Sequence, residues 1–179
     1  MHDWNVVITV HGKKFNEALR FFKTFGPVSR TDFYNVLVCR TEDIPAMMET
    51  VRARMEEHPD SETRVARLIP LQHTFRFQAP DEFEGRAREI VRDLADGLSN
   101  RAFYVRMHRR GFKGRLSSIE IEQSLSNTIL EVLEKKGAPG VIRFEGPEAV
   151  VVVETIGQHA GISLFTRSQL ERYPFLKIG

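Results

Sequence analysis

Apolar residues in this chain change their spacing several times, and each change marks an element. Trp4–Val10 (WNVVITV) is short and β-branched, which predicts a buried strand. Phe15, Leu19, Phe22 and Phe25 then recur at helical spacing until Gly26-Pro27 stops them. Residues 28–40 (VSRTDFYNVLVCR) read as two strands around a turn near Asp32, with Val36–Cys39 the more buried half. Asp43 caps a second predicted helix whose apolar side carries Met47, Met48, Val51 and Met55. Arg64–Phe77 is strand-like again, interrupted at Pro70. The order β-α-β-β-α-β is the split βαβ, ferredoxin-like pattern, and it predicts a first domain over residues 1–78.

The acidic stretch QAPDEFEG, flanked by Pro80 and Gly85, marks the expected boundary. A helix over about Phe83–Leu98 faces a core with Ile90, Val91 and Leu94. Residues 101–110 alternate as a strand: Phe103, Val105 and Met107 on one face, Tyr104, Arg106, His108 and Arg110 on the other. Gly111–Leu116 is a loop, and Ser117 with Glu120 has the S-x-x-E spacing of a capping box. The helix it opens carries Ile121, Leu125, Ile129 and Val132 on one stripe and ends near Gly137. Ala149–Thr155 (AVVVVET) is a continuous apolar run, expected as a central strand covered on both faces. After a turn over Gly157–Gly161 another strand follows, then a short helix ended by Pro174. The fold class is therefore α/β (α+β), with a second α/β domain over residues 79–179.

Composition removes several function classes. Apolar residues make up 41% of 179, enough for a packed core, and the net charge is only +2, so a partner must be read from local clustering of charge. The lone cysteine, Cys39, cannot form an internal disulfide and lies in an apolar strand, where a buried structural thiol is expected. No leader pattern, no membrane-length apolar run and no paired Cys/His metal spacing occurs. A soluble, cytoplasmic protein without metal or cofactor is the expectation. Nucleophile-elbow, zincin, P-loop and dinucleotide-binding motifs are likewise missing.

What does stand out is charge. Arg101–Arg115 holds six Lys/Arg and no acid. The predicted strand and loop put Arg106, His108 and Arg110 on one face and add Lys113 and Arg115 between glycines that let a ligand approach the backbone. The helix starting at Ser117 and Ser118 presents free N–H groups and the positive end of its dipole, which suits an anion. Several cations beside such a donor set suit a nucleic-acid backbone, with Tyr104 and Phe112 as candidates for base stacking. The same pattern fits an Arg-rich strand face that is simply solvated. Glu154, ending an apolar strand, is expected to pair with a cation of the basic strand, the rival reading being a role in a site.

The run YVRMHRRGFKGRLSSIEIEQSL, followed by AVVVVETIGQHAGISLFTRSQLERYPFL, resembles the THUMP domain, and most closely the stand-alone THUMP proteins related to the adaptor for tRNA cytidine acetylation. The similarity spans about Arg101–Leu176 and lies in the R-R-G strand, the S-S-x-E-I-E helix start, the V-V-V-V-E strand and the G-x-x-A-G-I-S turn. A ferredoxin-like module before it fits the same family. The resemblance implies tRNA binding at the acceptor end through Arg106, Arg109, Arg110 and Lys113, and a turn at Gly157 and Ala160-Gly161, within which His159 is added as a candidate. It further implies a non-catalytic adaptor that presents tRNA to a separate RNA-modifying enzyme, a cytidine acetyltransferase for instance; no cofactor, no DNA and no membrane partner is expected. The rival reading is a ferredoxin-like protein–protein scaffold without RNA.

Overall fold

The structure, a computed structural model, describes residues 3–58 and 65–179. The chain forms two compact units, Met1–Leu71 with Leu170–Lys177, and Gln72–Gln169 with Ile178–Gly179.

The first unit contains β1 (Val6–Val10), α1 (Phe15–Phe22), β2 (Val28–Arg30), β3 (Val36–Cys39), α2 (Ile44–Glu57) and β4 (Val65–Pro70). The β-α-β-β-α-β order is the one the apolar spacing predicts; Arg64, where that strand was expected to begin, lies outside the described residues. The strands pair antiparallel in the order β2-β3-β1-β4. Asp43 caps α2 by accepting from Ala46 N at 2.9 Å, and Pro45 sits in the first turn, where its missing N–H costs nothing. Ile8, Phe22, Leu37, Met47, Leu68 and Ile69 are fully buried.

Residues 170–177 complete this unit. Leu68 N donates to Phe175 O at 3.0 Å and Arg67 Nε to Lys177 O at 2.6 Å. Arg172 Nε and Nη2 and the Tyr173 hydroxyl all donate to the Glu49 carboxylate on α2, at 2.9, 3.0 and 2.5 Å. Hydrogen bonds from Arg172, then from Tyr173, hold the Glu49 carboxyl down at about 2.

The second unit contains β5 (His73–Arg76), α3 (Pro80–Leu94), β6 (Ala102–His108), α4 (Ser118–Lys135), β7 (Val141–Ile142), β8 (Ala149–Ile156) and β9 (His159–Thr166), with the short α5 (Arg167–Arg172) leading out of it. Its sheet runs β5-β9-β8-β6-β7; β6 is parallel to both neighbours, and the β8–β9 and β5–β9 pairs are antiparallel. β8 is central, as its unbroken apolar run requires, and Val150–Val153 are fully buried. Phe103, Val105 and Met107 of β6 join Phe83, Ala87 and Val91 of α3 and Ile121, Leu125 and Ile129 of α4 in one core. Gly137, at φ +69°, ends α4, and Ala138 N returns to Leu133 O at 2.9 Å.

The units divide differently from the expected 1–78 and 79–179. Pro70 has no N–H to extend β4. Leu71 N still bonds Asn5 O, whereas Gln72 N goes to Ser163 Oγ, and β5 then pairs with β9 from His73↔Ile162 to Arg76↔His159. The strand expected over 64–77 is therefore two strands of two different sheets.

Candidate nucleic-acid interface

β6 delivers the alternation expected of it only as far as His108, where the strand ends. Arg106 is half-buried: its guanidinium lies 5.4 Å from the Tyr104 ring centroid and Nη1 is 3.8 Å from Glu122 Oε1 of α4. His108 Nε2 lies 2.8 Å from Ile178 O. Tyr104 is only 8% exposed, so it is not a free stacking surface.

Beyond the strand the cations turn inward. Arg110 Nη1 meets Glu154 Oε2 at 2.8 Å, and Glu154 is fully buried at the register position opposite His108. This is the acid–cation pair expected of the basic strand. Arg110 also donates its backbone N–H to Thr155 Oγ1 at 3.0 Å. Arg109 Nη1 donates to Gly111 O. The two arginines and the histidine that the alternation put on one face, and Arg109, which the resemblance added, are thus engaged by their own fold.

Gly111 shows why the backbone takes this path. Its φ is +96°, and a Cβ there would stand 3.0 Å from Gly157 Cα. Gly157 N donates to Arg110 O at 2.8 Å. The R-R-G segment and the β8–β9 turn, which the sequence placed 46 positions apart (157 − 111), are packed together. That turn is tighter than the expected Gly157–Gly161: only Gly157 and Gln158 lie outside the strands, Gly157 with φ +59° in the manner of a two-residue hairpin. His159 is consequently the first residue of β9, half-buried and paired with Ile156 and Arg76. Phe112, at φ +53°, packs its ring at a tilt against Phe77, centroids 5.0 Å apart, and against the core, which removes it as a stacking surface too.

Lys113 and Arg115 differ from the rest. Both are exposed, Arg115 leaning over the Phe112 ring at 4.9 Å. They stand immediately before α4. Ser117 is its N-cap and accepts from Glu120 N at 3.3 Å, so the Ser half of the capping box forms. Ser118 and Ile119 open the helix, and their N–H groups precede the intrahelical ladder. Lys113, Arg115, Ser117 and Ser118 therefore lie together, at the positive end of an 18-residue helix.

The sequence reading missed an apolar feature beside this point. An open cleft of about 430 Å3 is lined by Val105, Ile119, Glu122, Gln123, Ile142 and Phe144, among others. Ile119 and Phe144 are 67% and 63% exposed. β7 has two residues, too few for any periodicity, so its edge position and the aromatic after it carried no signal.

Burial pushes the Cys39 thiol up to about 11, as befits an inert structural cysteine. Among the described residues no group of three or more His, Cys, Asp or Glu could hold a metal, and no helix is long and apolar enough to cross a membrane.

No protein-family model matches the chain, and no curated protein matches it. Solved structures do. TrmN from Thermus thermophilus is similar over 90% of this chain and 45% of its own, at TM-score 0.63 and 14% identity. A 4-thiouridine synthetase, solved with RNA and ATP, is similar over 91% and 41%, at 0.53 and 15%. A possible methylase from Clostridium difficile 630 is similar over 90% and 40%, at 0.56 and 12%. The chain spans about half the length of these proteins or somewhat less. At such identities the likeness is one of fold, the THUMP-like fold that the sequence resemblance implied.

One expectation is overturned. Missing motifs and the resemblance to adaptors led to a chain that is no enzyme. Its neighbours in fold include a synthetase and a possible methylase, so this architecture occurs in catalytic proteins, and the non-enzymatic assignment does not stand.

Proposed function

We propose that the chain binds structured RNA, tRNA foremost, and works in RNA modification by holding the RNA for the modifying chemistry. The observation that carries this is the pair of exposed cations, Lys113 and Arg115, on a glycine-flanked loop that runs into the N-terminus of α4. Two flexible cations beside backbone N–H donors form a phosphate-binding point. The fold shared with a synthetase solved on RNA supports the same reading. In this reading the acceptor end of tRNA lies on the loop, and a separate RNA-modifying enzyme, a cytidine acetyltransferase in the first instance, is the partner to which the RNA is presented.

The test is a titration of total tRNA at two salt concentrations, beside tRNA lacking its terminal CCA. Binding that weakens steeply with salt and drops without CCA is expected. Absence of binding at low salt, with and without the acetyltransferase, would leave a protein–protein scaffold as the better account.

A further inference from the structure

The cleft beside β7 has a composition that calls for a specific occupant. Its floor is Val105 on the edge of β6. β7 covers that edge only at Ala102 and Phe103, and Arg143 N makes the last rung, to Phe103 O at 2.9 Å. One wall is Ile119 in the first turn of α4 and the other is Phe144 just past β7. The Phe144 ring is braced from behind by Tyr104, centroids 5.3 Å apart, so it is held in place although its other side is open. Gln123 and Asn127 bring side-chain amides from α4 to the rim, and Glu122 brings a carboxylate.

These features point away from a peptide strand. An added strand needs a row of open N–H and C=O groups. Here Glu122 Oε1 already accepts from Met107 N at 2.8 Å, which closes the edge two residues beyond the floor. A slot between an aromatic ring and a branched side chain, rimmed by amides and a carboxylate, instead suits a flat heterocycle with donors and acceptors on its edge. The volume lies in the range of roughly 300–1,000 Å3 usual for small-ligand clefts. Phosphate binding lies next door: Ile119 is both a wall of the cleft and a first-turn residue of α4, with Lys113 and Arg115 just upstream.

We infer that this cleft takes one unpaired nucleobase of the bound RNA, stacked on Phe144, while its phosphate rests at the start of α4. The inference deepens the proposed RNA-binding function and rests on it.

The experiment uses the full chain and an unpaired RNA octamer carrying 2-aminopurine, beside a duplex of the same length. The wild type should quench the fluorescent base. Phe144→Ala should weaken octamer binding about 5- to 100-fold, the usual effect of losing one base–aromatic stack, and leave the duplex unaffected. Phe144→Tyr should restore binding and quenching; Phe144→Leu should not. Ile119→Ala, on the opposite wall, should act in the same direction. All are surface changes, and an unchanged melting temperature is expected. If Phe144→Ala and Ile119→Ala bind and quench like the wild type while Lys113→Glu/Arg115→Glu loses the octamer, the RNA function stands and the cleft assignment falls. Equal losses on octamer and duplex, or full rescue by leucine, also overturn it. If the wild type binds neither RNA at low salt, the proposed function itself fails.

Discussion

Arg110 and Lys113 are three residues apart in one basic run, and the fold treats them in opposite ways. Arg110 is turned inward onto Glu154, a carboxylate with no exposed surface. Lys113 reaches into solvent at the mouth of α4. A charge held against a buried partner stabilises the fold and has little left for a ligand; a solvated charge contributes little to stability and is available. Charge density along a sequence therefore overstates a binding surface when a buried acid lies in register beside it. Among the basic positions from Arg106 onward the contrast separates a structural group (Arg106, Arg109, Arg110) from an accessible one (Lys113, Arg115).

Substitutions can break that contrast. Val151→Asp sets the outer limit, because it buries an unpaired charge in the central strand; it should abolish cooperative melting of the second unit, and a soluble variant that still melts sharply would contradict the placement of β8. Arg110→Ala comes next. Taking the guanidinium from Glu154 should cost about 3 kcal/mol in denaturant unfolding, and Arg110→Ala/Glu154→Gln should recover part of it. The bare sequence suggests instead that changing Arg110 would weaken RNA binding in an intact fold, so the two readings give different results. Lys113→Glu/Arg115→Glu should leave the melting temperature alone and flatten the slope of log K against log salt by about 1.5 for tRNA.

The smallest effect belongs to the ion cluster of the first unit. Glu49 titrates at about 2 in the folded chain, below the usual carboxylate range, because Arg172 and Tyr173 donate to it. A depressed pKa means stability that is full above about 4.5 and is lost as pH falls toward 2. Glu49→Gln should remove that part of the acid dependence: it should lower stability slightly at pH 7, where the contribution is fully present, and leave stability near pH 2 almost unchanged. An unchanged acid melting profile would show that the cluster does not form in solution.

Much of this architecture is legible in the sequence because burial writes a period. Phe103, Val105 and Met107 announce β6, and the valines at 150–153 announce a strand covered on both sides. Asp43 and Ser117 mark helix starts with side chains that do cap them. Even the partner of the basic strand was foreseeable, since Glu154 ends an apolar run beside it and an acid so placed calls for a cation. What pattern does not carry is long-range pairing and elements shorter than a period. Nothing local says that His73–Arg76 belongs to β9 and not to β4, or that Val141 and Ile142 add an edge strand. Nor does any spacing rule reveal that Phe112 turns into the core at positive φ while Phe144 stays outside. Hence the exposed aromatic falls outside the run where the sequence suggested one.

The route of the chain has a consequence for its making. Residues 170–177 belong to the first unit, where Phe175 is fully buried and its carbonyl accepts from Leu68. About 100 residues separate Leu71 from Leu170. At roughly 5–20 residues per second, the ribosome takes on the order of 5–20 s to cross that interval. For all of it the first unit waits with one side of β4 unfinished, while the second unit can assemble. The part begun first is finished only when nearly the whole chain has been made, and a truncation after Gln169, which takes eight residues from the first unit and only Ile178 and Gly179 from the second, should harm the N-terminal unit more.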